Sequence, residues 1–426
     1  ALGCLKHRQT KLKKSKKPKT ATSEQHDKLK KSTRWLKWAQ IEPIFNSLLE
    51  ELTEFWHNKG RIGTRLEIMR NSIDLRLTER DQSRAEARPL SAERARQGAR
   101  LLAAATSLTQ NPTIRVPDGA ENSIGIAAHS VLPEWDDKGQ FALLLRPIFD
   151  EAIYGAVRFH HRSVREYLTA EWFAELLKRE TSRRSIETLF FHNQYGLDIV
   201  VPTLRPILPW LAILDEKIMV RVRKVAPEIV FEGGDPSQLP LVVRRYILRE
   251  VCEQMAEGAT GRSMRDYAAV QRFANPDLTE DVRALIRQYA DNEDLTAFLL
   301  RMVWVGQLAG ALPEAMGVAL TPTADRYCRI AAFRAIKAVG SVEDQEHVRQ
   351  SFLAETSELK RELLAELLKD IQPTEQTLVW LLACLEKSEH KERYSVDYLS
   401  TAVTEFASAA DIELLPQLVT GLNKLL

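Results

Sequence analysis

The stretch VRFHHRSVREYLTAEWFA, Val157–Ala174, decides how this chain is read. Together with Ala156 its opening residues, AVRFH, lean toward a β-strand after Tyr154-Gly155 and turn Phe159 inward. A polar turn follows. From Arg162 to Lys178 the apolar residues Val164, Tyr167, Leu168, Trp172, Phe173 and Leu176 recur at helical spacing, the mark of an amphipathic helix. Ser163 falls in the first helical turn, and Glu166 and Tyr167 follow on the same helix.

Working outward, Thr113–Val116 reads as a brief strand before Pro117, and Glu134–Leu145 reads as a helix. Ser91–Leu108 reads as a longer helix with Ser91 as its N-cap. Helices with two short strands inserted suit a small winged-helix unit over residues 89–180. Ahead of it, IEPIFNSLLEELTEFW (Ile41–Trp56) carries a wide apolar helical face, broken by Gly60 and Gly63, and Thr64–Leu77 is helical again, giving a helical lid over 35–88. After Thr181 every segment reads helical, with helices expected at about 197–214, 216–225, 238–257, 279–290 and 294–311. Pro227, Gly233-Gly234, Pro236, Pro276 and Pro313 punctuate this region, taken as 181–320.

Residues 321–426 read as three helix–turn–helix units, Asp325–Leu353, Ser357–Leu385 and Tyr394–Leu425, with turns near Ser341, Pro373 and Ala410. That period is of the length expected of an α-solenoid of HEAT-like helix pairs. In DRYCRIAAFRAIKAVGSVED, Ile330, Phe333 and Ile336 line one face, Ala331, Ala332 and Ala335 permit close packing, and Gly340 ends the helix. A non-repetitive bundle is the plainer alternative. The fold class is therefore mainly α.

Composition narrows the function. The chain has 426 residues, 44% of them hydrophobic, enough for a sizeable core. No run of 18 apolar residues occurs, so no ordinary membrane-spanning helix is expected. No apolar segment near the start looks like a secretory signal, and with Ala at position 1 the chain is expected to be a processed product or a piece of a longer protein. Cys4, Cys252, Cys328 and Cys384 are far apart, which argues against a disulfide frame or zinc site and for the cytoplasm. The net charge of +2 hides an asymmetry: residues 1–34 carry +10 and the rest −8. The run KLKKSKKPK (Lys11–Lys19) repels itself and is expected to be a disordered tail, able to touch nucleic acid through counterion release.

No catalytic constellation is legible. There is no G-x-x-x-x-G-K-[ST] phosphate loop; Gly258–Ser263 lacks its spacing and its Lys. Leu211–Glu216 (LAILDE) resembles a Walker B strand with its acidic pair but, just after Pro-Trp and with no phosphate loop, reads better as a helix end. His160 and His161 are adjacent with no third metal ligand at zinc spacing, HExxH is absent, and no G-x-S-x-G elbow exists. No catalytic residue and no metal ligand is expected.

Phe159, His161, Arg162, Ser163, Glu166, Tyr167 and Ala170 stand in the register of the element that closes the winged-helix domain of NACHT-type proteins, in the STAND ATPase superfamily, and this stretch resembles it. Gly60–Glu67 with Asn71-Ser72-Ile73 looks like the lid that follows the ATPase core in bacterial members. Val131–Trp135 and Arg146–Asp150 are similar to the middle of the winged helix, and Pro209–Ala212, Pro227-Glu228 and Gly234–Pro236 to the helical repeats beyond. The likeness covers about residues 40–260 and leaves out 1–34. It implies a regulatory and sensor portion of a signalling NTPase, in bacterial defence or signal transduction. His161 would touch the β-phosphate of ADP in the closed state, an imidazole N–H donating to a phosphate oxygen. Its plainer role is to stabilise the turn. ATP or ADP would be the cofactor of an intact member, and the partners would be the missing ATPase core, a ligand on the solenoid, or further copies. The phosphate loop and acidic strand of the family are missing here, so the chain is expected to hydrolyse no ATP. Two other classes stay open: a nucleic-acid-binding winged-helix regulator with a basic tail, and a helical-repeat scaffold.

Overall fold

A computed structural model describes residues 64–79, 82–117, 125–152, 155–258, 267–390 and 397–425. The basic tail 1–34, the expected helix at 41–56, and Gly60 and Gly63 lie outside them. The described residues are mainly helical. None of their helices is long and apolar enough to cross a membrane.

The first part packs short helices around a small sheet. Its elements are α1 (Arg65–Leu77), α2 (Gln82–Ala87), α3 (Ala92–Leu108), β1 (Thr113–Arg115), β2 (Ile126–Ala127), α4 (Ala128–Val131), α5 (Asp137–Leu144), β3 (Phe149–Glu151), β4 (Ala156–Phe159) and α6 (Arg162–Leu177). Helix α1 starts where its sequence says it should. Thr64 and Glu67 form a reciprocal capping box, the Thr64 hydroxyl accepting from the Glu67 N–H and the Glu67 carboxylate accepting from the Thr64 N–H at 2.8 Å. Ser91 caps α3 by accepting from the Arg94 N–H. The helix expected at Glu134 begins instead at Asp137, because Asp136 accepts from the Gly139 N–H and so sets the start.

The strands pair in the order β2-β1-β4-β3, more than the two strands the sequence led us to expect. β1 runs antiparallel to β4 with Ile114 opposite Val157, and β3 runs antiparallel to β4 with Phe149 opposite Phe159. Ile114, Phe149, Val157 and Phe159 are buried, so the sheet hands its apolar side to the core. Helix α6 lies against α3, and α1 against α3.

Next come α7 (Glu180–Phe190), β5 (Phe191–Gln194), β6 (Leu197–Val200), α8 (Leu208–Leu214), α9 (Glu216–Val225), α10 (Ile229–Glu232) and α11 (Leu241–Ala256). The hairpin β5–β6 corrects the helix expected over 197–214. Tyr195 and Gly196 both have positive φ, 55° and 82°, the geometry of a tight two-residue hairpin turn. Phe191 faces Val200 across the pair and is fully buried, which anchors the base of the hairpin. The helix starts only at Leu208, with Pro209 in its first turn where no backbone N–H is needed.

The rest is α12 (Tyr267–Phe273), α13 (Thr279–Gln288), α14 (Glu293–Gly306), α15 (Leu312–Ala319), α16 (Arg326–Val339), α17 (Val342–Leu353), α18 (Arg361–Leu368), α19 (Glu375–Glu386), α20 (Leu399–Ala409) and α21 (Leu415–Leu425). The helix expected to reach 311 stops at Gly306, followed by Gln307 in the left-handed region at φ 53°. Pro313, read as a breaker, opens α15 from its first turn. Alternate helices stack: α14, α16, α18 and α20 touch in sequence, and so do α17, α19 and α21. Ion pairs bridge neighbours in the first row: Arg326 to Glu362 at 2.7 Å, Arg334 to Glu366 at 2.6 Å, Lys337 to Asp370 at 2.5 Å and Arg361 to Asp397 at 2.5 Å. Their sequence separations are 36, 32, 33 and 36 residues.

Candidate functional site

The turn between β4 and α6 holds the residues singled out by sequence. Phe159 ends the strand and is buried against Phe149, ring centroids 4.8 Å apart. The chain then crosses to the surface. His160 donates its backbone N–H to Ile148 O at 2.9 Å, and its Nδ1 sits 2.9 Å from an Asp150 carboxylate oxygen. His160 is thus a sheet-edge residue paired with the neighbouring strand.

His161 is the N-cap of α6, in extended backbone conformation. Its Nδ1 accepts from the Ser163 N–H at 3.2 Å and lies 2.7 Å from the Ser163 hydroxyl. With Nδ1 occupied as an acceptor, the neutral ring carries its proton on Nε2. The side chain is exposed. One nitrogen of His161 therefore fixes the turn while the ring stays accessible to solvent. The turn-stabilising role and an outward-donating role are compatible in this geometry.

The first turns of α6 carry an uneven charge arrangement. Arg162 Nε meets Glu166 Oε1 at 2.6 Å, an i,i+4 pair. Burial pushes the Glu166 carboxyl above its usual range, against the opposing pull of Arg162. Tyr167 is fully buried, and burial raises its phenol to about 12. Its hydroxyl accepts from Arg70 Nε of α1 at 2.9 Å, and its ring packs edge-on to Trp210 of α8 at 5.2 Å. Ala170 is fully buried on α6. Arg96 of α3 reaches both Glu171 of α6, at 2.6 Å, and Asp74 of α1. The carboxylate and hydroxyl partners hold three helices around the His161 turn.

The other candidates separate from this turn. In LAILDE, Leu211 and Ala212 are buried in α8 and Asp215 caps α9, accepting from the Ile218 N–H at 2.9 Å while Arg183 grips it at 2.6 Å. Both of its acceptor roles are structural, which fits a helix junction. From Ala259 the glycine-rich Gly258–Ser263 segment lies outside the described residues. No metal-holding cluster of His, Cys, Asp or Glu occurs among the described residues. Cys252, Cys328 and Cys384 are buried, and burial raises each thiol to about 12; Cys4 lies outside the described residues.

Compared with family models, with curated proteins and with solved structures, the chain finds no match.

Some neighbours of the turn had no sequence signal. Arg70 reaches Tyr167 across 97 residues. Arg65 lies over the Trp210 ring at 5.2 Å and donates to Gly234 O at 2.6 Å, 169 residues away. Asp235 is buried and accepts from the Leu66 N–H at 2.8 Å. Only a partner of opposite polarity brought close by the fold identifies such residues, and spacing along one chain does not carry that.

Proposed function

We propose that this chain is the regulatory and sensor portion of a NACHT-type STAND signalling NTPase that works in the cytoplasm. In this reading residues 35–88 are the lid, 89–180 the winged helix, 181–320 a helical repeat region and 321–426 a solenoid of helix pairs, with 1–34 a basic tail. The ATPase core that would hold ADP is a separate part, and His161 donates from Nε2 to a phosphate oxygen when core and winged helix close on the nucleotide. A ligand on the stacked helices shifts the balance toward the open form by binding it better than the closed one. The role follows bacterial defence or signal transduction, with self-association of the opened protein.

The observation that supports the reading is the strand–turn–helix at Phe159–Ala170. Its His161 is pinned through Nδ1 and exposed on its other side. The stacked rows α14–α20 and α17–α21, with ion pairs recurring at 32–36 residues, support the solenoid part. Against a winged-helix DNA reader, α6 buries Tyr167, Leu168 and Phe173, the face that would otherwise be free for a groove.

Calorimetry tests it. ADP at micromolar concentration gives no binding heat with residues 1–426 alone. The coding sequence in frame ahead of residue 1 is expected to encode a phosphate loop, and the extended protein to bind ADP. His161→Ala in that protein weakens ADP by about tenfold to a hundredfold, the worth of one hydrogen bond to a charged group. An upstream frame with no phosphate loop, or His161→Ala with unaltered ADP affinity, refutes the proposal.

A further inference from the structure

We infer that the cleft between the end of α3, the first turn of α6 and the loop at Thr203 binds a phosphate-sized oxyanion, received by Arg165 with Arg162 and Thr203 beside it. The cleft offers about 280 Å³, ample for a phosphate group, so its lining rather than its volume selects the guest.

The unbalanced group is Arg165. Its Nε is shut off from solvent and has no hydrogen-bond partner. Among the described residues its guanidinium takes part in no ion pair, since the nearby Glu166 bonds to Arg162. Other arginines of the same helices have acids beside them: Arg96 bonds Asp74 and Glu171, and Arg100, whose Nε is likewise buried without a hydrogen bond, lies 3.9 Å from Glu175 and 4.0 Å from Glu171. A half-buried guanidinium without an acid is costly, and burial accordingly lowers the Arg165 pKa. The neighbouring polar groups are already used. Thr106 donates back to Leu102 O, Ser107 shares its hydroxyl with Thr169, and Gln110 donates to Ser107 O. The donors left for a guest are the terminal N–H groups of Arg165 and Arg162, only the Nε of Arg162 being taken by Glu166, and the Thr203 hydroxyl; a guanidinium fork suits two phosphate oxygens. Glu166 is the one anion in the lining and competes for Arg162.

The inference is independent of the ADP reading, because His161 does not line this cleft. Inorganic phosphate is titrated into the full chain by calorimetry, with circular dichroism checking that each variant folds. Saturable millimolar binding is expected. Arg165→Met weakens it about tenfold or more, the loss of a charge-assisted contact. Glu166→Gln strengthens it several-fold, a gain that a damaged fold does not give. ADP added as a competitor separates the sources: displacement of phosphate makes the natural guest a nucleotide phosphate, and no displacement makes it a free phosphate. No saturable phosphate binding, Arg165→Met within twofold of the parent, or weaker binding by Glu166→Gln overturns the inference.

Discussion

Gly234→Ala is the substitution that most directly tests how the first helix is held to the rest. Gly234 has φ +65°, and a Cβ built there meets Pro209 O at 2.5 Å and the Pro209 carbonyl carbon at 2.9 Å. Two costs add. A side chain in the left-handed region costs about 1–2 kcal/mol. Backbone atoms this close cannot swing aside, so the Pro209 segment must shift, an overpacking cost of about 1–3 kcal/mol. Gly196 supplies the control: its φ is +82°, but nothing lies within 4 Å of a built Cβ, so Gly196→Ala carries only the first cost. The difference between the two variants is therefore about 1–3 kcal/mol. Hydrogen-exchange mass spectrometry reads it locally. Gly234 O accepts from Arg65, and the adjacent Asp235 accepts from the Leu66 N–H. Exchange in peptides from Arg65–Leu77 and Leu208–Leu214 should speed up about fivefold to a hundredfold in Gly234→Ala relative to Gly196→Ala. Equal exchange in the two variants would refute the argument that close approach, rather than backbone conformation alone, fixes glycine at 234.

Two further outcomes follow from groups near the core. Asp215→Asn should lower stability by about 1–3 kcal/mol at neutral pH, by loss of the charged bond to Arg183. Burial pushes the Asp215 carboxyl up, but hydrogen bonds from Arg183 and the Ile218 N–H outweigh it and hold it below the ordinary 3.8. A depressed carboxylate contributes its stability above that ordinary value and loses it as pH falls through the folded value. Urea midpoints of variant and parent should therefore converge in strong acid; a constant gap from pH 7 to pH 2 counts against the ion pair. For the thiols, burial raises Cys252, Cys328 and Cys384 to about 12, so a disulfide reagent at pH 8 should leave these three unmodified in the folded protein and reach them in denaturant. Modification of any of the three within minutes without denaturant contradicts their burial.

What could be read from sequence was chemistry that closes within a few residues. The Ser91 cap was read directly; the Thr64–Glu67 capping box and the His161–Ser163 contact, found only in the structure, span two or three residues as well, so the string already holds both partners. The apolar spacing of α6 likewise announced its buried face. The hairpin at Phe191–Val200 was missed because its exposed strands, His192–Gln194 and Leu197–Ile199, show no alternation of buried and exposed positions. A local turn makes it, and one buried aromatic anchors it. Pro313 does mark a break between helices, from inside the first turn of the one that follows, where proline is tolerated.

The part of the site that escaped sequence reasoning is also the part that joins its pieces. Arg65, Leu66 and Arg70 occupy under two turns of α1. They reach Gly234 and Asp235 on one side and Tyr167 on the other. Tyr167 is one turn beyond Ser163, whose N–H fixes His161. α1 thus ties the loop ahead of α11 to the helix that carries His161, through one carboxylate, one carbonyl and one phenol. The Asp235 link is buried and the Tyr167 hydroxyl bond half-buried, so loosening either leaves a polar group without its partner. A displacement of the 233–237 loop cannot leave α1 in place without breaking such a bond. If the helices after residue 237 do sense a ligand, α1 is one described element through which a shift there meets the His161 turn, beside α8, whose Pro209 backs Gly234 and whose Trp210 packs on Tyr167. Asp235→Ala should then speed hydrogen exchange at the start of α6 as well as in α1. Exchange confined to α1 would mean that the two ends of the helix are held independently.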